Sequence, residues 1–126
     1  EFLTRYKRIL EFNITLKTNG NLKIFKAWRV QHNDARGPFK GGIRFWPKAN
    51  LEEVKALASL MTWKTAVAGI PLGGAKGAVA VQPQELSAQQ LEELSRCYVR
   101  EIFPLIGPRK DIPAPDMNTN PQIMAW

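Results

Sequence analysis

Three observations predict an α/β domain, a layered sheet flanked by helices, mostly parallel and opening on an N-terminal β-hairpin. Residues 8–30 alternate apolar and polar side chains in two runs joined by Thr-Asn-Gly-Asn. Two later stretches carry apolar residues at helical spacing behind an N-capping residue, and a short apolar run of strand character separates them. Hairpin, helix, strand and helix in this order describe helices that must bury their apolar stripes against a sheet.

Within the first run, Leu10, Phe12, Ile14 and Leu16 fall on one face and Glu11, Asn13 and Thr15 on the other. That is the period-2 pattern of a half-buried strand. Asn19-Gly20 supplies the turn, and residues 22–30 alternate again to complete the hairpin. Residues 37–47, rich in glycine and proline, read as a loop or an interrupted strand. Asn50 then caps a helix, with Glu53 as its capping-box partner, and Val54, Leu57, Ala58, Met61 and Ala68 follow at helical spacing. Gly-Ile-Pro-Leu-Gly-Gly-Ala-Lys-Gly at 69–77 breaks the pattern, and Ala-Val-Ala-Val at 78–81 reads as a short buried strand. Ser87 and Gln90 cap a second helix whose stripe runs through Leu91, Leu94, Tyr98 and Ile102, with Gly107-Pro108 as its stop. The three prolines within residues 111–121 mark a stiffened loop, with a short strand ahead of it as the alternative. No internal repeat or low-complexity tract interrupts the chain.

At 126 residues the chain is long enough for one core and too short for two. The single Cys97 excludes a disulfide within the chain and suits a reducing, cytoplasmic setting. With His32 the only histidine, no set of metal ligands is expected, and nothing local supports a Cys97–His32 nucleophilic pair. The formal net charge of +7 comes from lysines and arginines dispersed among acids, which describes a solvated surface better than a nucleic-acid footprint. No apolar run approaches the roughly 20 residues needed to cross a bilayer. The chain starts at Glu1 and stops at Trp126 inside an apolar stretch, so it reads as a piece of a longer protein.

Three lysines occupy unusual settings. Lys40 lies between Phe39 and Gly41-Gly42, Lys76 lies within Gly-Gly-Ala-Lys-Gly-Ala, and Lys64 follows Met61 by three residues and Leu57 by seven. A stem lying along the surface with its head in water accounts for any one of them. Two in glycine-rich loops and one on a buried helical stripe together point to an anion site, where desolvation would lower the lysine pKa values. Asp116, behind two prolines, is the acid best placed to balance them, and its preorganised backbone suits proton transfer. A plain Asx-turn or helix cap is the local alternative. A phosphate loop fails, because Gly77 stands where the Ser or Thr after Gly-Lys is required. Gly-Ala-Lys-Gly at 74–77 also matches the tetrapeptide with which KH modules clamp RNA, a weak signal that remains the non-enzyme rival. Cys97 reads as a structural thiol, Trp28, Trp46, Trp63 and Trp126 as core or interface residues, and Arg36 and Arg44 as structural ion-pair partners.

Three long stretches, RVQHNDARGPFKGGIRF, ALASLMTWKTAVAGIPLGGAKG and IGPRKDIPAPDMNTNPQIMAW, together place residues 8–126 close to a known family. They resemble the N-terminal substrate-binding and assembly domain of hexameric glutamate dehydrogenases, within the Glu/Leu/Phe/Val dehydrogenase family. The resemblance implies one domain over residues 1–126, with a nucleotide-binding domain to follow, and a homo-oligomer, a hexamer in the full enzyme. It implies oxidative deamination of L-glutamate to 2-oxoglutarate and ammonia with NAD or NADP, and the reverse amination, with no nucleic-acid or membrane partner. In matching positions Lys40 would grip the side-chain carboxylate of glutamate, Lys64 the α-carboxylate with Met61 beside it, and Lys76 would be the catalytic lysine. Asp116 would move protons to and from the substrate nitrogen, and the backbone at Pro115 would line the pocket. Leucine and phenylalanine dehydrogenases lack a counterpart of Lys40, so that residue is the one that argues for glutamate. Ala78 stands where a second glycine is usual, and Ala27-Trp28 replaces Gly-Tyr. No G-x-G-x-x-G, and hence no Rossmann domain, occurs in the chain, so this domain alone is expected to be inactive. A non-catalytic regulatory paralogue and a KH-like RNA-binding module are the alternatives.

Overall fold

The computed structural model describes residues 3–126. The two alternating runs form β1 (Arg8–Thr18) and β2 (Asn21–Asn33), an antiparallel pair in register from Arg8–Gln31 to Thr18–Asn21. Asn19 and Gly20 both adopt positive φ, 50° and 83°, the conformation a two-residue hairpin turn of the I′ type demands. Ile14, Leu16 and Thr18 are buried and the intervening residues exposed, as the alternation requires.

The Gly/Pro-rich segment is a strand, β3 (Phe39–Phe45), followed by α1 (Leu51–Val67) and then β4 (Gly74–Val79). The second helix, α2 (Ala88–Ile102), precedes β5 (Asp111–Pro115) and the short α3 (Pro121–Ala125). The five strands lie in the order β1-β2-β4-β3-β5. The expected mostly parallel sheet is therefore corrected: β1–β2 and β2–β4 are antiparallel, with only β4–β3 and β3–β5 parallel. The two antiparallel pairings, both made by the long strand β2, hold most of the paired residues, which tips the sheet towards antiparallel.

Several boundaries also move. Strand β4 begins at Gly74, four residues before the expected run, so Lys76 sits within a strand, as does Lys40 in β3. The Gly74–Gly77 tetrapeptide is buried in the middle of the sheet rather than displayed on a loop. Helix α2 ends at Ile102, short of Gly107-Pro108, and β5 occupies the stretch expected to be mainly loop. Pro113 and Pro115 are tolerated there because β5 is an edge strand with one side free of ladder bonds.

Helix α2 and α3 cover one face of the sheet. Ile14, Leu16, Ile43, Phe45, Val79, Leu94, Tyr98 and Ile102 form that core, and the Tyr98 hydroxyl donates to the Trp28 carbonyl at 2.8 Å. Burying an aliphatic side chain such as Leu94 or Ile102 contributes about 1.5–3 kcal/mol. The α2 capping box is complete, Ser87 and Gln90 each satisfying the other's backbone N–H. Helix α1 covers the opposite face through Val54 and Ala58 against Trp28, Val30 and Ala78. It lies over β2 and β4 and leaves the β3–β5 half of that face open. His32 packs on this side against Thr62, so the sheet separates it from Cys97 on α2, which is half-buried.

Candidate active site

Four segments converge on the open half of that face. Strand β3 presents Lys40, Gly42 and Arg44 by alternation, and β4 presents Lys76. The turn after β5 presents Asp116, and the outer flank of α1 supplies Leu57, Leu60, Met61, Trp63, Lys64, Val67 and Ala68. Together with Arg44, Lys76 and Asp116, these α1 residues line a cleft of about 800 Å³.

Asp116 is the hub. Its Oδ1 accepts from Lys76 Nζ at 2.7 Å and its Oδ2 from Arg44 Nε at 2.7 Å. The turn that carries it is tied down at each residue. Asp116 N–H donates to Thr119 Oγ1 at 2.8 Å, whose hydroxyl donates to the Ile43 carbonyl at 2.8 Å. Asn118, at φ 58°, donates from Nδ2 to the Phe45 carbonyl at 2.9 Å. Burial alone would raise the Asp116 pKa. Hydrogen bonds from Lys76, Arg44 and the Met117 N–H prevail and bring it down to about 2.

Lys76 is 5% exposed, held between strand neighbours with its ammonium directed at Asp116. Lys64 lies on the last turn of α1, exposed and with no ion-pair partner among the described residues, so the expectation of a buried stripe is corrected. Of the expected positions Val54 and Ala58 are buried, and Thr62 and Thr65 complete the packed stripe, small enough for the helix to sit close to the sheet. Leu57, Met61 and Lys64 share the flank that faces the cleft. Lys40 stands on β3 outside the cleft lining, its ammonium directed at the Ile112 and Pro113 carbonyls at 3.5 and 3.4 Å. Burial and the Arg29 guanidinium push its pKa down, partly offset by Asp111. Pro115 also lies outside the lining, with its carbonyl over Gly42.

The sequence placed Arg44 among structural ion-pair partners and Glu53 in a capping box. Asn50 does cap α1, accepting from the Glu53 N–H at 3.0 Å, but the Glu53 carboxylate turns away to accept from Arg44 Nη1 at 2.7 Å. The alternation Lys40, Gly42, Arg44 was the only local signal that Arg44 shares a face with the lysines. Gly41-Gly42 also serves the protein's own atoms rather than open space for a ligand. A Cβ at Gly41 would lie 1.6 Å from the Ala75 carbonyl oxygen, and one at Gly42 would lie 2.7 Å from Asp116 Cβ. Chemically, the cleft offers three cations, Arg44, Lys64 and Lys76, against one carboxylate, beside an apolar wall. It suits an organic anion. No group of three or more His, Cys, Asp or Glu residues is placed to hold a metal among the described residues.

Residues 6–126 match the model of a family described as Glu/Leu/Phe/Val dehydrogenase, dimerisation domain. The chain is similar to an NADP(+)-dependent glutamate dehydrogenase of Pyrobaculum calidifontis, 56% identical over 127 residues. It is similar also to an NAD-specific glutamate dehydrogenase of Peptoniphilus asaccharolyticus, 50% identical over 127 residues. Both alignments cover 100% of this chain and 30% of the relative. Its fold superposes, with a TM-score of 0.96 and 44% identity, on a hetero-hexameric glutamate dehydrogenase from Thermus thermophilus in its leucine-bound form, covering 100% of this chain and 30% of that one. The chain thus spans about 30% of the length of the proteins it matches.

Proposed function

This chain belongs to the Glu/Leu/Phe/Val dehydrogenase family, as a counterpart of its dimerisation domain, and on that premise we propose that it is the substrate-binding and assembly domain of a glutamate dehydrogenase. The whole protein would convert L-glutamate to 2-oxoglutarate and ammonia, run the reverse amination, and work as a homo-oligomer, a hexamer by analogy with its structural relative. The observation that carries this reading is the Lys76–Asp116 pair at 2.7 Å in a cleft that also holds the exposed Lys64.

Glutamate carries two carboxylates and one ammonium, and each has a counterpart here. Lys64 meets the α-carboxylate, with Met61 packed beside it. Lys40, one end of the β3 row, takes the side-chain carboxylate in exchange for its long contacts to the Ile112 and Pro113 carbonyls. Pro115 contributes backbone over Gly42 between them. At an effective dielectric near 20, each such contact at about 4 Å is worth roughly 4 kcal/mol before desolvation. Two lysines fixed on separate elements therefore read both charge and length.

Asp116 accepts a proton from the substrate ammonium, because hydride leaves the α-carbon more readily from a neutral amine. A carboxylate pinned near pKa 2 is a poor base. An incoming anion remedies this, since it neutralises part of the cationic field and draws Lys76 away from Oδ1. Lys76 then stands beside the carbon that water attacks and stabilises charge developing on its oxygen, before ammonia departs from the carbinolamine. A nicotinamide dinucleotide, NAD or NADP as in the relatives, supplies the hydride acceptor. The chain has no G-x-G-x-x-G to hold it, so its site is assigned to another part of the protein.

Steady-state kinetics of the full-length enzyme test the reading. Lys76→Ala should abolish glutamate-dependent NAD(P) reduction while light scattering reports an unchanged oligomer. Retained turnover would overturn it.

A further inference from the structure

Among the described residues, Arg44 is the one cation of the cleft with two acidic partners. Its Nε donates to Asp116 Oδ2 and its Nη1 to Glu53 Oε1, both at 2.7 Å, and its side chain is 16% exposed. Glu53 is drawn into this bridge at the expense of the capping box its position invites. Lys76 holds the other oxygen of Asp116. The two cations differ in what they are free to do. Lys76 is a single flexible ammonium that must attend to substrate, whereas Arg44 is a planar fork fixed at both ends.

We propose that Arg44 is the positioning residue that keeps Asp116 in place when Lys76 leaves it for the substrate, and that Glu53 sets how strongly Arg44 holds. The inference rests on the reading of Asp116 as proton acceptor given above. The charged groups facing Asp116 are Arg44 from β3, Lys76 from β4 and Lys64 across the cleft on α1, with Glu53 on α1 behind Arg44. Arg44 stabilises the carboxylate form of Asp116, and Glu53 opposes Arg44 by competing for the same guanidinium. Removing each charge must therefore act in opposite directions. Without Arg44, Asp116 takes up its proton more easily. Without Glu53, it does so less easily.

The test is the pH dependence of kcat in the full-length assembly, which reports the substrate complex. Arg44→Gln should move the acid limb to higher pH by about 1–3 pH units. Glu53→Gln should move it to lower pH. Arg44→Lys restores the charge and should return the limb towards that of the native protein, with kcat still lowered because one ammonium cannot span both carboxylates. Limbs that stay put in Arg44→Gln and Glu53→Gln, or that move in the same direction, overturn the proposal. Loss of stability would not yield two shifts of opposite sign. If Arg44→Gln fails to assemble, the downward shift in Glu53→Gln decides alone. Asp116→Asn separates the two claims, since an acid limb that persists in that variant refutes Asp116 as proton acceptor. A crystal structure of Arg44→Gln with glutamate bound then still judges the tether, which is refuted if the Asp116 carboxylate keeps its place once Lys76 has turned to the substrate.

Discussion

Gly42 lies directly beneath Asp116: a Cβ built on the glycine would come within 2.7 Å of Asp116 Cβ and 3.1 Å of the Pro115 carbonyl oxygen. The obstacle is the root of a side chain and a main-chain atom, neither of which swings aside. Gly42→Ala must therefore lift the turn that carries Asp116. Overpacking of this kind costs about 1–3 kcal/mol. A displacement near 1 Å at a carboxylate acting as the proposed proton acceptor costs about 100-fold in turnover. We expect a folded, assembled full-length enzyme with kcat lowered by about that factor. Native kcat in Gly42→Ala would show that the position of Asp116 does not matter to the reaction.

The depressed Asp116 pKa fixes the sign of a stability effect. In the fold the group titrates near 2, against 3.8 for an ordinary aspartate, despite burial pushing it upward. The ionised form is favoured by folding, so the contribution is fully present above about pH 4 and disappears as pH falls from 3.8 towards 2. Thermal unfolding of native and Asp116→Asn proteins should differ at neutral pH, with the native protein more stable. That difference should shrink steadily below pH 4. A gap that is constant from pH 6 to pH 2 would contradict the ion-pair origin of the shift.

Lys40 stands apart from the cleft lining, and its long contacts to two carbonyls leave the ammonium available. If it reads the distal carboxylate, Lys40→Leu should raise KM for glutamate far more than it alters kcat. Truncating one partner of a desolvated charge pair costs about 2–5 kcal/mol, which is roughly 30-fold or more in KM. Leucine or norvaline should become better substrates in the same variant. Equal losses for glutamate and apolar amino acids would mean that Lys40 supports the fold instead of specificity.

What the sequence made legible was local. The hairpin rests on neighbouring residues, with period-2 alternation on either side of Asn19-Gly20, and the α2 cap rests on Ser87 and Gln90 three positions apart. Strands β3 and β5 were obscured because Phe39–Phe45 holds two glycines and Asp111–Pro115 two prolines. Their strand character comes from lying beside each other in the sheet. The stripe through Leu57, Met61 and Lys64 was correctly seen as one face of α1 and wrongly assigned to the core. Periodicity identifies a face without saying what covers it, and the face that packs is made of Ala58, Thr62 and Thr65. Lys64, Lys76, Met61 and Asp116 do share one cleft. The pairing of Arg44 with Asp116 could not be read from the chain, because the two lie 72 residues apart.

The least legible feature was the buried ion pair of Arg29 and Asp111, 82 residues apart and both fully buried. The guanidinium starts on β2 and reaches β5, crossing β4 and β3 on the α2 face, and donates on the way to the Gly41 carbonyl at 3.2 Å. It has room because Gly77 has no side chain, where a Cβ would lie 3.2 Å from Arg29 Nη1. Asp111 Oδ2 accepts from Arg29 Nε and from Gln31 Nε2, both at 2.9 Å, so the carboxylate is well satisfied. Removing one partner strands the other charge in the core, at a cost of about 3–5 kcal/mol. Asp111→Leu should lower unfolding free energy by that much in denaturant titrations. Replacing both charges removes the stranded ion, so Arg29→Met with Asp111→Leu should be more stable than Asp111→Leu alone. A double variant that is less stable than the single would mean the network acts through its hydrogen bonds to Gln31 and Gly41, with charge balance of secondary weight.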